Sequence, residues 1–97
     1  MHFDWDPAKA KANRRKHGVS FEEARALFTS AVEYLEVYDA SHSDDEDRFF
    51  AIGPTVRGLL CVVFVERGED RIRILGARRA TRRERGLYER YLRGDTR

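Results

Sequence analysis

Arginine supplies most of the chemistry this sequence can offer. From Arg67 to Arg97 the chain holds 11 Arg and no Lys against five acids. The run Arg71-Ile-Arg-Ile-Leu-Gly-Ala-Arg-Arg-Ala-Thr-Arg-Arg-Glu-Arg85 places many of them on what reads as a strand followed by a helix. Guanidinium groups bind phosphate bidentately and keep their charge at any physiological pH, so this segment is the one best suited to a phosphate backbone. Such a surface points to nucleic acid and leaves open whether the nucleic acid is cut.

Cutting RNA without a metal requires a deprotonated 2′-hydroxyl, in-line geometry, neutralised charge on the phosphorane and a protonated 5′-oxygen. Arginines fill the charge role, and His17, His42, Glu46 and Tyr88 are the candidates for moving protons. His42 and Glu46 share a polar loop with Arg48, where a network that only orders the loop competes with catalysis. His17 precedes Gly18 at an expected helix end, which suits a cation through the helix dipole alone. Arg78 and Arg79 stand at the junction with the last helix, whose free N–H groups favour an anion.

The acids beside His42 (Asp44, Asp45, Glu46 and Asp47) are consecutive loop residues with no spaced histidine partner, so no metal or other cofactor is expected. A Gly-rich phosphate loop, a dinucleotide fingerprint and a serine elbow are all missing from the sequence. The single Cys61 lies within the apolar run Leu59 to Val65 and reads as a small buried hydrophobe.

These groups need a scaffold, and 97 residues allow one domain, 1–97, with a frayed tail after about residue 93. Hydrophobic residues make up 41% and charged residues 37%, too apolar for a disordered chain and too polar for a membrane protein. The early acids Asp4 and Asp6 argue against a secretory signal, so a soluble, cytoplasmic protein is expected, with no membrane contact. Charge is segregated: residues 1–18 carry five bases and two acids, residues 19–66 three and ten, and residues 67–97 eleven and five. Two basic ends around an acidic middle form one positive face if the ends fold together.

Asp6-Pro7 starts a helix that Gly18 ends, and Ser20 with Glu23 makes a capping box for a second helix reaching about Phe28. Val32 to Tyr38, Arg48 to Gly53, Leu59 to Glu66 and Arg71 to Arg78 read as four strands, the last three joined as antiparallel neighbours, with the Leu59 run in the centre. Strict alternation along the fourth puts Ile72, Ile74 and Gly76 on one face, and Arg71, Arg73, Leu75, Ala77 and Arg79 on the other. Thr81 with Glu84 opens a final helix bearing Leu87, Tyr88, Tyr91 and Leu92. The expected class is α+β: two N-terminal helices, a four-stranded antiparallel sheet and a C-terminal helix packed on it.

Four stretches together resemble one family, the BrnT ribonuclease toxins of type II toxin-antitoxin pairs. They are Phe3-Asp-Trp-Asp6, Lys16-His-Gly-Val-Ser-Phe-Glu-Glu-Ala24, His42-Ser43 with Glu46 and Arg48, and Arg71-Ile-Arg-Ile with Ala77-Arg78 and Thr81 through Glu84. The resemblance runs from Phe3 to about Leu92 and implies a fold similar to RelE and the barnase-like microbial ribonucleases. It implies a metal-independent endoribonuclease that inhibits translation and growth. Arg48, Arg73, Arg78, Tyr88, His42 and Glu46 would then be catalytic, and Lys16, His17, Arg67, Arg71, Arg79 and Arg82 would contact RNA. It also implies a BrnA-type antitoxin that covers the basic face, in a 2:2 heterotetramer whose antitoxin dimer binds operator DNA. The competing expectation is a non-catalytic module, an inactive relic that holds RNA or antitoxin through the same arginines. One departure is visible, Gly76, where the family pattern usually has Ser.

Overall fold

A computed structural model describes residues 1–30 and 32–94; apart from Gly94, the expected frayed tail lies outside the described residues. In chain order the elements are β1 (His2–Asp4), α1 (Pro7–His17), α2 (Phe21–Thr29), β2 (Leu35–Tyr38), a 3-10 turn (Ala40–His42), β3 (Arg48–Thr55), β4 (Gly58–Arg67), β5 (Arg71–Arg79) and α3 (Arg82–Leu92). Local signals set the helix ends. Asp6 accepts a hydrogen bond from the Ala8 amide ahead of Pro7, and Gly18 closes α1 at φ 71°, in the left-handed region that favours glycine. Both capping boxes form, Ser20 with Glu23 and Thr81 with Glu84.

The sheet corrects the expected four antiparallel strands. It has five, ordered β1-β5-β4-β3-β2, and it is mixed because β1 runs parallel to β5, pairing His2 with Arg71, Phe3 with Ile72 and Asp4 with Arg73. A strand of three residues is too short for its hydrophobic period to register, and its partner lies at the other end of the chain. β3 also continues to Thr55, so the hairpin to β4 turns through Val56 and Arg57 alone.

A bulge corrects the expected faces of β5. Phe64 pairs with Ile74 but Val63 with Gly76, which leaves Leu75 as an extra residue. Past that point the parity inverts. Ala77, 2% exposed, joins Ile72 and Ile74 in the core, and Arg79 follows it to that side. Arg78, opposite Cys61, shares its face with Arg73, opposite Val65.

The two sheet faces are covered unequally. On one, Phe21, Ala24, Leu27 and Phe28 of α2 and Ala10 of α1 pack on Ala51, Leu60, Val62, Phe64, Ile72, Ile74 and Ala77. Asn13 ties α1 to β5 with its side-chain amide, donating to the Ala77 and Val19 carbonyls and accepting from the Ala77 amide. On the other face Tyr88 of α3 covers Ile52 and Cys61 at one end of the strands, while Arg48 and Arg73 at the other end stay half-exposed.

The first face is packed closely enough to forbid a side chain at Gly53, where a Cβ would meet the Tyr34 Cβ at 2.8 Å and the Leu27 Cγ at 3.3 Å. Gly53→Ala is expected to cost about 1–3 kcal/mol through overpacking. Urea unfolding measures this, and an unchanged midpoint would show that Tyr34 and α2 yield freely.

Candidate active site

Pairing across the sheet builds the site. Arg48 of β3 and Arg73 of β5 both pair with Val65 of β4, and Arg73 pairs onward with Asp4 of β1. The row on the open face therefore reads Arg48, Val65, Arg73, Asp4. Neighbouring strands lie about 4.8 Å apart, so the two arginine backbones stand about 10 Å apart, and both guanidinium groups can reach one phosphate lying over Val65. Asp4 accepts from Arg73 Nη1 at 3.2 Å and from Arg71 Nη1 at 3.1 Å. Burial pushes its carboxyl up, but the bonds from both arginines outweigh this and hold it below the usual range. Arg48 Nε is buried with no hydrogen-bond partner, the one side-chain atom so placed among the described residues. A group left in that condition costs free energy that a bound anion can recover.

The turn before β3 brings a histidine to this row. Asp39, 6% exposed, accepts from Ser41 Oγ at 2.9 Å and contacts His42 Nδ1 at 3.0 Å. A carboxylate has no hydrogen to give, so Nδ1 carries a proton, and in the neutral ring the lone pair lies on Nε2. Burial raises the Asp39 carboxyl, yet the hydrogen bonds from Ser41 and His42 prevail and keep it below its ordinary value. The Ser43 hydroxyl donates to the Asp39 carbonyl and accepts from the Arg48 amide, which locks the turn to the start of β3. His42, largely exposed, then lines a cavity of about 330 Å³ with Ser41, Asp44, Glu46, Arg48 and Val65.

Other expected site residues fall elsewhere or are already engaged. Glu46 lines the cavity, with both oxygens bonded to Arg67, at 2.6 Å to Nε and 3.0 Å to Nη2. Arg78 lies on the same face but grips Glu84 through two hydrogen bonds of 2.7 and 2.8 Å. Tyr88 is 6% exposed against Ile52 and Cys61 and donates to the Glu33 carbonyl at 2.7 Å, which makes it a packing residue of α3. Arg79 turns to the α1 and α2 side, where Nη1 donates to the Arg57 carbonyl. Lys16 and His17 are exposed on α1, across the sheet from Arg48, and Arg82 is exposed at the start of α3. Around Gly76 there is room for a side chain, since a Cβ would meet only Asn13 Oδ1, at 3.8 Å. Sequence reasoning missed Asp4 and Asp39. The first is placed by the unforeseen parallel strand; the second had a signal in its spacing of three from His42.

The Arg78–Glu84 pair has a consequence for acid stability. The Arg78 hydrogen bonds pull Glu84 from its ordinary 4.5 to about 2, against burial, which raises it. Burial, with the Glu84 charge nearby, pushes the Cys61 thiol beneath them up to about 12 and keeps it protonated. A carboxyl with a lowered folded-state value contributes stability that is complete above 4.5 and lost as pH falls towards about 2. Glu84→Gln should therefore flatten the acid limb of thermal stability across that window. Parallel limbs in the two proteins would show that the pair adds nothing.

Among the described residues, three helices on two faces of a five-stranded mixed sheet, with one arginine row left open beside an aspartate–histidine pair, define a small α+β domain with a candidate anion site on its sheet. Residues 5–84 match the family model described as ribonuclease toxin, BrnT, of type II toxin-antitoxin system. The crystal structure of the Brucella abortus ribonuclease toxin BrnT superposes with a TM-score of 0.62 at 25% sequence identity, covering 84% of this chain and 99% of that one. No curated protein matches the chain significantly. The chain belongs to the BrnT family of ribonuclease toxins of type II toxin-antitoxin systems.

Proposed function

We propose that the protein is a metal-independent endoribonuclease that cleaves RNA by transesterification at the open arginine row and so inhibits translation and growth. The observation that carries this reading is Arg48 and Arg73 flanking Val65, with the Arg48 Nε unpartnered and His42 beside it. His42 Nε2 takes the proton of the 2′-hydroxyl, and the oxygen so freed attacks phosphorus. Arg48 and Arg73 meet the charge of the phosphorane. The bond to the 5′-oxygen breaks, that oxygen takes a proton from water at the open mouth, and the products end in a 2′,3′-cyclic phosphate and a 5′-hydroxyl. Asp39 holds His42 in the tautomer that can accept.

RNA methylated on every 2′-oxygen tests the nucleophile, because it keeps the phosphates and loses the attacking group. It should bind about as well as unmodified RNA and remain intact; if it is cut, the 2′-hydroxyl is not the nucleophile.

One set of contacts favours the second reading, a non-catalytic module for RNA or antitoxin. Glu46 and Arg78, two expected catalytic residues, are each bonded to an opposite charge, Arg67 and Glu84. On either reading the partner is an antitoxin of the BrnA type covering the basic face, in a 2:2 assembly whose antitoxin dimer holds operator DNA. The work of such a toxin lies in the cytoplasm, and no helix among the described residues is long and apolar enough to cross a membrane.

A further inference from the structure

Alternate residues of β3 face the same way, and its register sets Arg48, Phe50 and Ile52 opposite Val65, Val63 and Cys61 on the open side. Beyond Arg48, towards α3, this face falls into a second cavity of about 330 Å³. Its lining includes Val37, Phe50, Ile52 and Leu87, with Ser41 on the side of the turn and Arg83 and Glu84 on the side of α3. Ser41 also lines the first cavity, so the turn that carries His42 is a wall common to both.

Three features indicate the occupant. Alternate strand residues lie about 6.6–6.8 Å apart, close to the separation of phosphate and base within one nucleotide, so a phosphate at Arg48 allows its base to lie over Phe50. Phe50 is half-buried, packs against the Ile52, Cys61 and Tyr88 cluster and lines the cavity, and among the described residues it stacks on no other ring, so the part of it turned to the cavity is a surface on which a base can stack. Apolar lining residues together with Ser41, Arg83 and Glu84 suit a flat heterocycle with a polar edge.

We propose that this cavity receives the nucleobase of the nucleotide whose phosphate lies at Arg48 and Arg73, with Phe50 as its stacking surface. The inference rests on the phosphate site of the proposed function and adds the element that would give cleavage a base preference. It is tested by calorimetric titration of the full chain with inorganic phosphate and with the four nucleoside 3′-monophosphates. At least one nucleotide should bind roughly tenfold or more tightly than phosphate, the gain expected for one stacked base. In Leu87→Trp, which fills the cavity, nucleotide and phosphate should bind alike. Phe50→Leu, a milder change that keeps an apolar wall, should lose most of the same gain, with thermal melts verifying that both variants fold. Phosphate and all four nucleotides binding equally to the native chain would overturn the base site and leave the phosphate site standing. A gain that survives in both variants would place the base elsewhere, and no binding of phosphate at all would overturn the arginine site itself.

Discussion

His42→Ala is expected to slow RNA cleavage about 10²–10⁴-fold, the range for loss of a positioned general base, with RNA affinity nearly unchanged. The split follows from the geometry. On the proposed reading, phosphate affinity resides in Arg48 and Arg73 on the sheet, whereas His42 is an exposed residue of the turn, set in orientation by the buried Asp39. Its removal takes away a lone pair and no phosphate contact. Single-turnover cleavage beside equilibrium binding measures both quantities. An unchanged rate would remove His42 from the reaction; a rate and an affinity that fall together would make it a binding residue.

Phe64→Ala is expected to cost about 3–5 kcal/mol, a large part of the roughly 5–15 kcal/mol that holds a typical domain folded. Phe64 is fully buried on the central strand, stacked on Phe49 at 5.6 Å and edge-on to Phe28 at 5.1 Å. Truncation there removes the contact that joins α2 to β3 and β4, and Phe28 and Phe49 are held by further rings, Phe3, Tyr34 and Tyr38, that hinder collapse into the space. Urea unfolding gives the value. A loss below about 1 kcal/mol would mean that the aromatic cluster repacks without strain.

Where one short signal decides the outcome, the sequence was legible. Asp6-Pro7, Gly18 and the two capping boxes set the helix ends, and the doubly apolar Leu59 to Val65 run lies in the central strand of the sheet. Where the outcome depends on distant pairing, it was not. The parallel strand at His2–Asp4 exists because β5 offers it an edge, and the extra Leu75 inverts the alternation by which Ala77, Arg78 and Arg79 had been assigned their faces. The candidate site divides in the same way. Arg48, Arg73, His42 and Glu46 stand out by residue type, but the residues that orient two of them, Asp4 and Asp39, resemble ordinary surface acids until the fold brings them to their partners. Tyr88 is the converse case, a hydroxyl attractive for chemistry that the amphipathic face of α3 carries into the core.

Family membership identifies the chain as a BrnT-family toxin, and the open arginine row is the site proposed for ribonuclease chemistry. The decisive measurement is incubation of the purified, antitoxin-free protein with end-labelled single-stranded RNA in excess EDTA, beside a variant carrying Arg48→Ala and Arg73→Ala, with the fragment ends identified. Fragments bearing 2′,3′-cyclic phosphate, formed by the native protein and absent with the variant, are the expected result. Intact RNA, or fragments that appear equally with the variant, would contradict cleavage at this site and favour the non-catalytic module.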